Sequence, residues 1–152
     1  MILLDTKFMK AALKQAQIGL LQGEVPVGCV IVKDGKIIAR AHNTKESKKA
    51  ALNHAEINAI VKASKKFKDW RLNDCEMYVT LEPCLMCVGA IINYRVGTIY
   101  YGAKDPNGGA VVSNLDITTV KNLNHHPTFQ GGIMERECSE ILTKFFQDKR
   151  KR

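Results

Sequence analysis

Two short stretches set the hardest constraint on how this chain can fold. "HAE" places His54 and Glu56 two residues apart, and further along "EPCLMC" carries Cys84 and Cys87. On a helix, positions i and i+3 share a face, so both sulfurs can reach one ion. An imidazole and two thiolates are a donor set for a divalent metal such as zinc. A structural zinc site is normally closed by four protein ligands, whereas three leave a position for water. Glu56, two residues from His54, would lie beside that water as a proton acceptor. A fourth ligand from Cys75, Cys138, His125 or His126 would close the site and make it structural instead. Either way, the fold must bring two separate segments together.

Periodicity shows how it can. Met9, Ala12, Leu13, Ala16 and Leu20 recur at helical spacing, with Asp5 or Thr6 as a cap and Gly23 as an end signal. "PVGCVIV" (residues 26–32) is a continuous apolar run, fitting a strand covered on both faces. Asp34-Gly35 marks a two-residue hairpin turn, with a returning strand over 36–43. A polar stretch (44–49) precedes a helix from about 54 to 66. A strand (76–81), a helix (85–93), a strand (98–102) and a loop (105–109) follow. Residues 110–126 show no clear period. A short strand near Phe129 and a final helix marked by Ile133, Cys138, Ile141, Leu142 and Phe145 complete the chain.

Alternating strands and helices with short connections predict an α/β fold, a mixed sheet with helices on its faces. Ligands in such sheets sit beyond the carboxyl ends of strands, near helix N-termini. His54 and Glu56 open one helix, and Cys84 and Cys87 open the next, so the two starts converge at one sheet edge. Pro83 suits the turn entering its helix, and the helix N-terminus favours thiolates over thiols. Leu85 and Met86, between the sulfurs, are expected to face packing. Glu82 is expected to partner a loop structurally rather than to act as a second catalytic acid.

A chain of 152 residues is the size of one domain, here 1–152, with a basic helix end and tail at about 144–152. Its start, "MILLDTKFMK", meets charge at Asp5 and lacks the apolar core of a signal peptide, and no run approaches a membrane span. Five cysteines, an odd count, argue against a disulfide framework. The expected location is the cytoplasm. Cys29, Cys75 and Cys138 lie in apolar patterns and read as core.

The net charge of +8 points to a polyanionic partner, nucleic acid first. "KFFQDKRKR" (144–152) holds five basic residues and one acid, and is the better candidate for RNA contact. "KKFKDWR" (65–71) has four basic residues but reads as a solvated helix end with Phe67 and Trp70 packed inward. At least one of Phe145 and Phe146 is expected in the core. His125 and His126 read as surface-loop residues.

"HAE" with "PCLMC" resembles the cytidine-deaminase-like superfamily of zinc deaminases. "GEVPVG" (23–28), "AHN" (41–43), "HAEINAI", "WRL" (70–72), "YVTLEPCLMCVGAII" (78–92) and "YGAKDPNGGA" (101–110) look like the bacterial tRNA-specific adenosine deaminases. This resemblance implies a three-layer α/β/α fold around a mixed five-stranded sheet. It implies hydrolysis of adenosine to inosine at tRNA wobble position 34, one zinc ion per subunit, and a homodimer that the apolar helix around residues 88–92 could support. His54, Cys84 and Cys87 would hold zinc, and Glu56 would pass the proton to a ring nitrogen and then to a leaving amine. Asn43 would hydrogen-bond the base, Val27 and Gly28 would wall its pocket, and the backbone at Pro83 would help hold the hydroxide or the base. Lys104, Asp105, Asn107 and Phe146 would approach the RNA. The sequence departs from relatives at "KKAALN" (48–53), at the pocket rim, and at "VVSNLDI" (111–117). The alternatives are a free-base or nucleoside deaminase acting on guanine or cytosine, and a non-catalytic zinc-stabilised RNA-binding module.

Overall fold

In a computed structural model of the chain, residues 6–150 are described; Asp5, Lys151 and Arg152 lie outside them. Helix α1 (Lys7–Leu21) turns Met9, Ala12, Ala16 and Gly19 inward at the predicted spacing. Thr6 stands at its N-cap but makes no side-chain cap bond. Its backbone is already helical there, and capping needs an extended one.

Strands β1 (Gly28–Lys33) and β2 (Lys36–His42) form the predicted hairpin. Asp34 and Gly35 turn it with φ of 51° and 74°, the paired positive values that match the twist of the flanking strands. Helix α2 (Ala55–Phe67), strand β3 (Cys75–Leu81), helix α3 (Leu85–Asn93) and strand β4 (Thr98–Ala103) follow. Strand β5 (Thr128–Gln130) and helix α4 (Glu135–Arg150) end the described chain. The segment without a clear period holds only a short 3-10 turn, Ile117–Thr119.

The five strands form one sheet in the order β2-β1-β3-β4-β5. β1 is antiparallel to both neighbours, while β3–β4 and β4–β5 are parallel. Alternation along the strands divides the core in two. Cys29, Ile31, Met77, Val79 and Ile99 pack with Ile60 of α2 and with Val88 and Ile91 of α3. Val30, Val32 and Tyr78 pack with Met9 of α1 and Cys138 of α4. The result is three layers, α/β/α, with β1 buried on both faces as its unbroken apolar run requires.

Three packing expectations are corrected. Leu85 is 60% exposed at the first position of α3, while Cys87, Val88 and Ile91 further along are buried. Phe67 and Trp70 are 37% and 45% exposed rather than packed inward. The Lys33 ammonium sits 4.5 Å from the Phe67 ring centroid, and the Arg71 and Arg95 guanidinium groups sit 4.5 and 5.8 Å from Trp70, covering these rings with cations instead of core. Neither Phe145 nor Phe146 is fully buried: Phe145 is half-buried and Phe146 is 43% exposed.

Candidate active site

β2 ends at His42 and β3 at Leu81, at the same end of the sheet. The chain then enters α2 and α3, and two of the predicted ligands stand where those helices begin. His54 is the N-cap of α2 and Cys84 the N-cap of α3; both have extended backbones and neither side chain caps its helix. The side chains instead turn toward each other. His54 Nδ1 lies 3.6 Å from the sulfur of Cys84 and 3.6 Å from that of Cys87. The three ligand atoms fall within 4.8 Å of one another, a group that can hold a metal ion.

Among the described residues no fourth donor joins them. Cys75 opens β3 at the far end of the sheet. Cys138 is buried in the other core layer, on α4. His125 donates its Nε2–H to the Val96 carbonyl at 2.7 Å, and His126 is exposed. A closed four-ligand site is therefore absent among the described residues, and a position for a reacting molecule stays open.

Charge in the group is arranged for a cation. The Cys84 thiol is brought down to about 4, chiefly by the hydrogen bond from Cys87 and then, against the opposing effect of burial, by that from His54. Cys87 is driven far up, because it holds the shared proton and is buried. The hydrogen bond with Cys84 raises His54. Thiols bind a metal as thiolates, so a divalent cation displaces their protons on binding. Glu56, on the first turn of α2, is only 4% exposed, and burial pushes its carboxyl up to about 7. A carboxyl titrating near neutrality can both take and give a proton there.

His54, Glu56 and Cys84 line a cavity of about 190 Å³, which has room for one heterocyclic base, with Cys87 buried outside its lining. Of the other residues singled out in the sequence, Val27, Asn43, Glu82 and Asp105 line it too. The Asn43 carbonyl oxygen accepts from the Lys45 N–H at 3.1 Å, fixing the side chain's direction. Lys104, Asn107 and Phe146 line a neighbouring groove of about 540 Å³, which shares Val25, Leu81 and Asp105 with the cavity. Pro83 is buried behind it, its carbonyl accepting the Ala110 N–H at 2.9 Å.

Gly28 is not among the lining residues. A Cβ there would strike the Ala12 carbonyl and the Ala16 nitrogen, so its bare backbone serves the approach of α1. Glu82 does partner a loop, as expected, accepting from the backbone N–H groups of Asp105, Val111, Val112 and Ser113. Sequence reasoning missed Val25, Lys45, Ala55 and Leu81 as lining residues. Val25, Ala55 and Leu81 lie inside recognised motifs, but nothing in the polar stretch marked Lys45 out.

Fold and site together define a deaminase of the cytidine-deaminase-like class. The family model for MafB19-like deaminases matches residues 4–150. The "tRNA-specific adenosine deaminase" of Streptococcus pyogenes serotype M1 is 44% identical over 97% of this chain and 86% of its own length. That of Bacillus subtilis (strain 168) is 41% identical over 97% of this chain and 92% of its own. A solved structure from work on A-to-I editing by tRNA:A34 deaminases at the wobble position superposes with a TM-score of 0.88. It is 41% identical and covers 91% of this chain and 100% of its own. The chain belongs to the tRNA-specific adenosine deaminases of the MafB19-like deaminase family.

Proposed function

We infer that this chain converts adenosine to inosine at the wobble position of tRNA, with release of ammonia. The observation that carries the reading is a base-sized cavity lined by His54, Cys84 and buried Glu56, in a chain 44% identical over 97% of its length to a tRNA-specific adenosine deaminase. We assign zinc, one per subunit, to His54, Cys84 and Cys87. Bonds of about 2.3 Å to sulfur and about 2.0–2.1 Å to nitrogen, at a tetrahedral angle, separate the two atoms by about 3.6 Å. The His54 Nδ1 to sulfur distances are 3.6 Å.

When bound, zinc supplies a Lewis acid that makes water nucleophilic at neutral pH. The Glu56 carboxylate takes one proton from the water that attacks adenine C6 and delivers it to ring N1. It carries the second to the exocyclic amine, which leaves as ammonia. Asn43 offers its amide to the base and Val27 packs beside it. The groove with Lys104, Asn107 and Phe146 accommodates flanking nucleotides, whose unpaired bases an anticodon loop presents. No helix among the described residues is long and apolar enough to cross a membrane. A tRNA substrate places the chain in the cytoplasm, and a homodimer would cover the exposed side of α3 around Leu85.

The test uses purified chain and tRNA with an unmodified wobble adenosine, with Glu56→Ala as control. Inosine forms with the wild type, and turnover falls by at least about 100-fold in the variant while metal and fold are kept. No inosine from folded, zinc-loaded protein, with ammonia released from free guanine or cytosine, would overturn the RNA reading.

A further inference from the structure

Two further buried carboxylates are spent on backbone, and one of them, Glu82, also lines the base cavity. Glu24, just past α1, is fully buried. Its two oxygens accept the N–H groups of Glu46 at 3.0 Å and Ser47 at 2.7 Å. That loop carries Asn43 and Lys45, both of which line the base cavity.

Glu82, 2% exposed, does the same for a second loop. Its Oε1 accepts from Asp105 N–H at 3.1 Å. Its Oε2 accepts from Val111, Val112 and Ser113 N–H at 3.1, 2.9 and 3.0 Å. The Ser113 hydroxyl donates to Oε1. The loop lies directly on the carboxylate, since a Cβ at Gly109 would collide with it. Gly109 also bridges to Cys84, so the loop that brings Asp105 to the cavity is tied to the turn that carries a thiolate. A buried charge is costly unless fully hydrogen-bonded, and hydrogen bonds to a charged group are the stronger ones. Here that strength fixes loops that have no secondary structure to hold them.

We propose that Glu24 and Glu82 are positioning residues for the base pocket: each clamps the backbone of one loop, and together they hold Asn43, Lys45 and Asp105 at the spacing a bound base requires. The proposal rests on the deaminase reading above and adds two residues that do not themselves perform its chemistry.

The test compares wild type with Glu24→Gln and Glu82→Gln, which keep the shape but put an amide NH2 against backbone donors. Three quantities are read: hydrogen exchange of the loop amides, metal content, and steady-state kinetics on an anticodon stem-loop with a wobble adenosine. Exchange accelerates about ten-fold or more at residues 46–47 in the first variant and at 111–113 in the second, the size expected for a lost bond to a charged group. Metal content stays at the wild-type level, and KM rises by more than kcat falls. If Glu82→Gln does not fold, Ser113→Ala removes only the hydroxyl bond and shifts KM in the same direction.

Unchanged exchange would overturn the clamps. Faster exchange with unchanged KM would make them structural only, and would equally overturn the proposal. A wild type that makes no inosine overturns the RNA reading and the base-pocket role with it, so the two failures are told apart by the wild-type lane.

Discussion

His54 and Cys84 each occupy a position where a side chain normally caps a helix, and both leave that duty undone. Their side chains turn instead to the group that can hold a metal ion, so removing one is expected to cost the ion and little else locally. Cys84→Ser is expected to copurify without zinc and to lose turnover. If the wild type is normally saturated about 100-fold over its Kd, losing the metal removes about 2.7 kcal/mol, a fall in Tm of about 5–10 °C for a domain of this size. A variant that retains stoichiometric zinc by metal analysis would remove Cys84 from the ligand set. The grouping of His54, Cys84 and Cys87 beside Glu56 was legible in the sequence because this combination is rare and its spacing means something on a helix. Lys45 and Glu24 were not. Nothing about either residue type predicts its part, which depends on where residues 43–50 fold back against the end of α1. Gly28 was misassigned to the pocket wall for a related reason: a small residue beside a pocket motif can serve the pocket or the helix behind it, and only the packing decides.

At the level of elements, the closest constraint is between α1 and β1. The helix backbone meets the strand at Gly28, where a methyl group has nowhere to go. Gly28→Ala should therefore destabilise the fold by about 1–3 kcal/mol, the usual range for overpacking. Denaturant unfolding measures this directly, and a midpoint equal to wild type would show that α1 can shift outward. Periodicity and turn signals located the four α-helices and five strands among the described residues, most of which bury one face or both at their own repeat. Residues 110–126 resisted that reading for a physical reason. Their anchor is a carboxylate that binds successive backbone N–H groups, and backbone bonds leave no pattern in side chains. The exposure of Leu85 was hidden in turn, because an apolar residue between two ligands reads as core until the helix is oriented.

Across the whole molecule, the +8 charge separates the substrate classes more cleanly than the site does. An RNA substrate held through phosphates must be released by salt, whereas a neutral free base is not. KM for tRNA is expected to climb steeply between about 50 and 200 mM salt with kcat much less affected; a flat profile in steady-state assays would argue that the basic surface serves something other than substrate. Most of the basic stretch 144–152 lies on α4, which ends at Arg150, and Phe146 and Arg150 line the groove beside the cavity; Lys151 and Arg152 lie outside the described residues. One further feature lies past the end of α2 opposite His54. Trp70 is the chain's single tryptophan, half exposed beneath two guanidinium groups. It lies three residues beyond Phe67, the last residue of α2, a helix of thirteen residues that spans about 20 Å from the end that carries His54. The protein thus contains its own fluorophore, placed away from the reacting base. Its emission can follow the opening of the far end of the sheet during unfolding, without interference from catalysis.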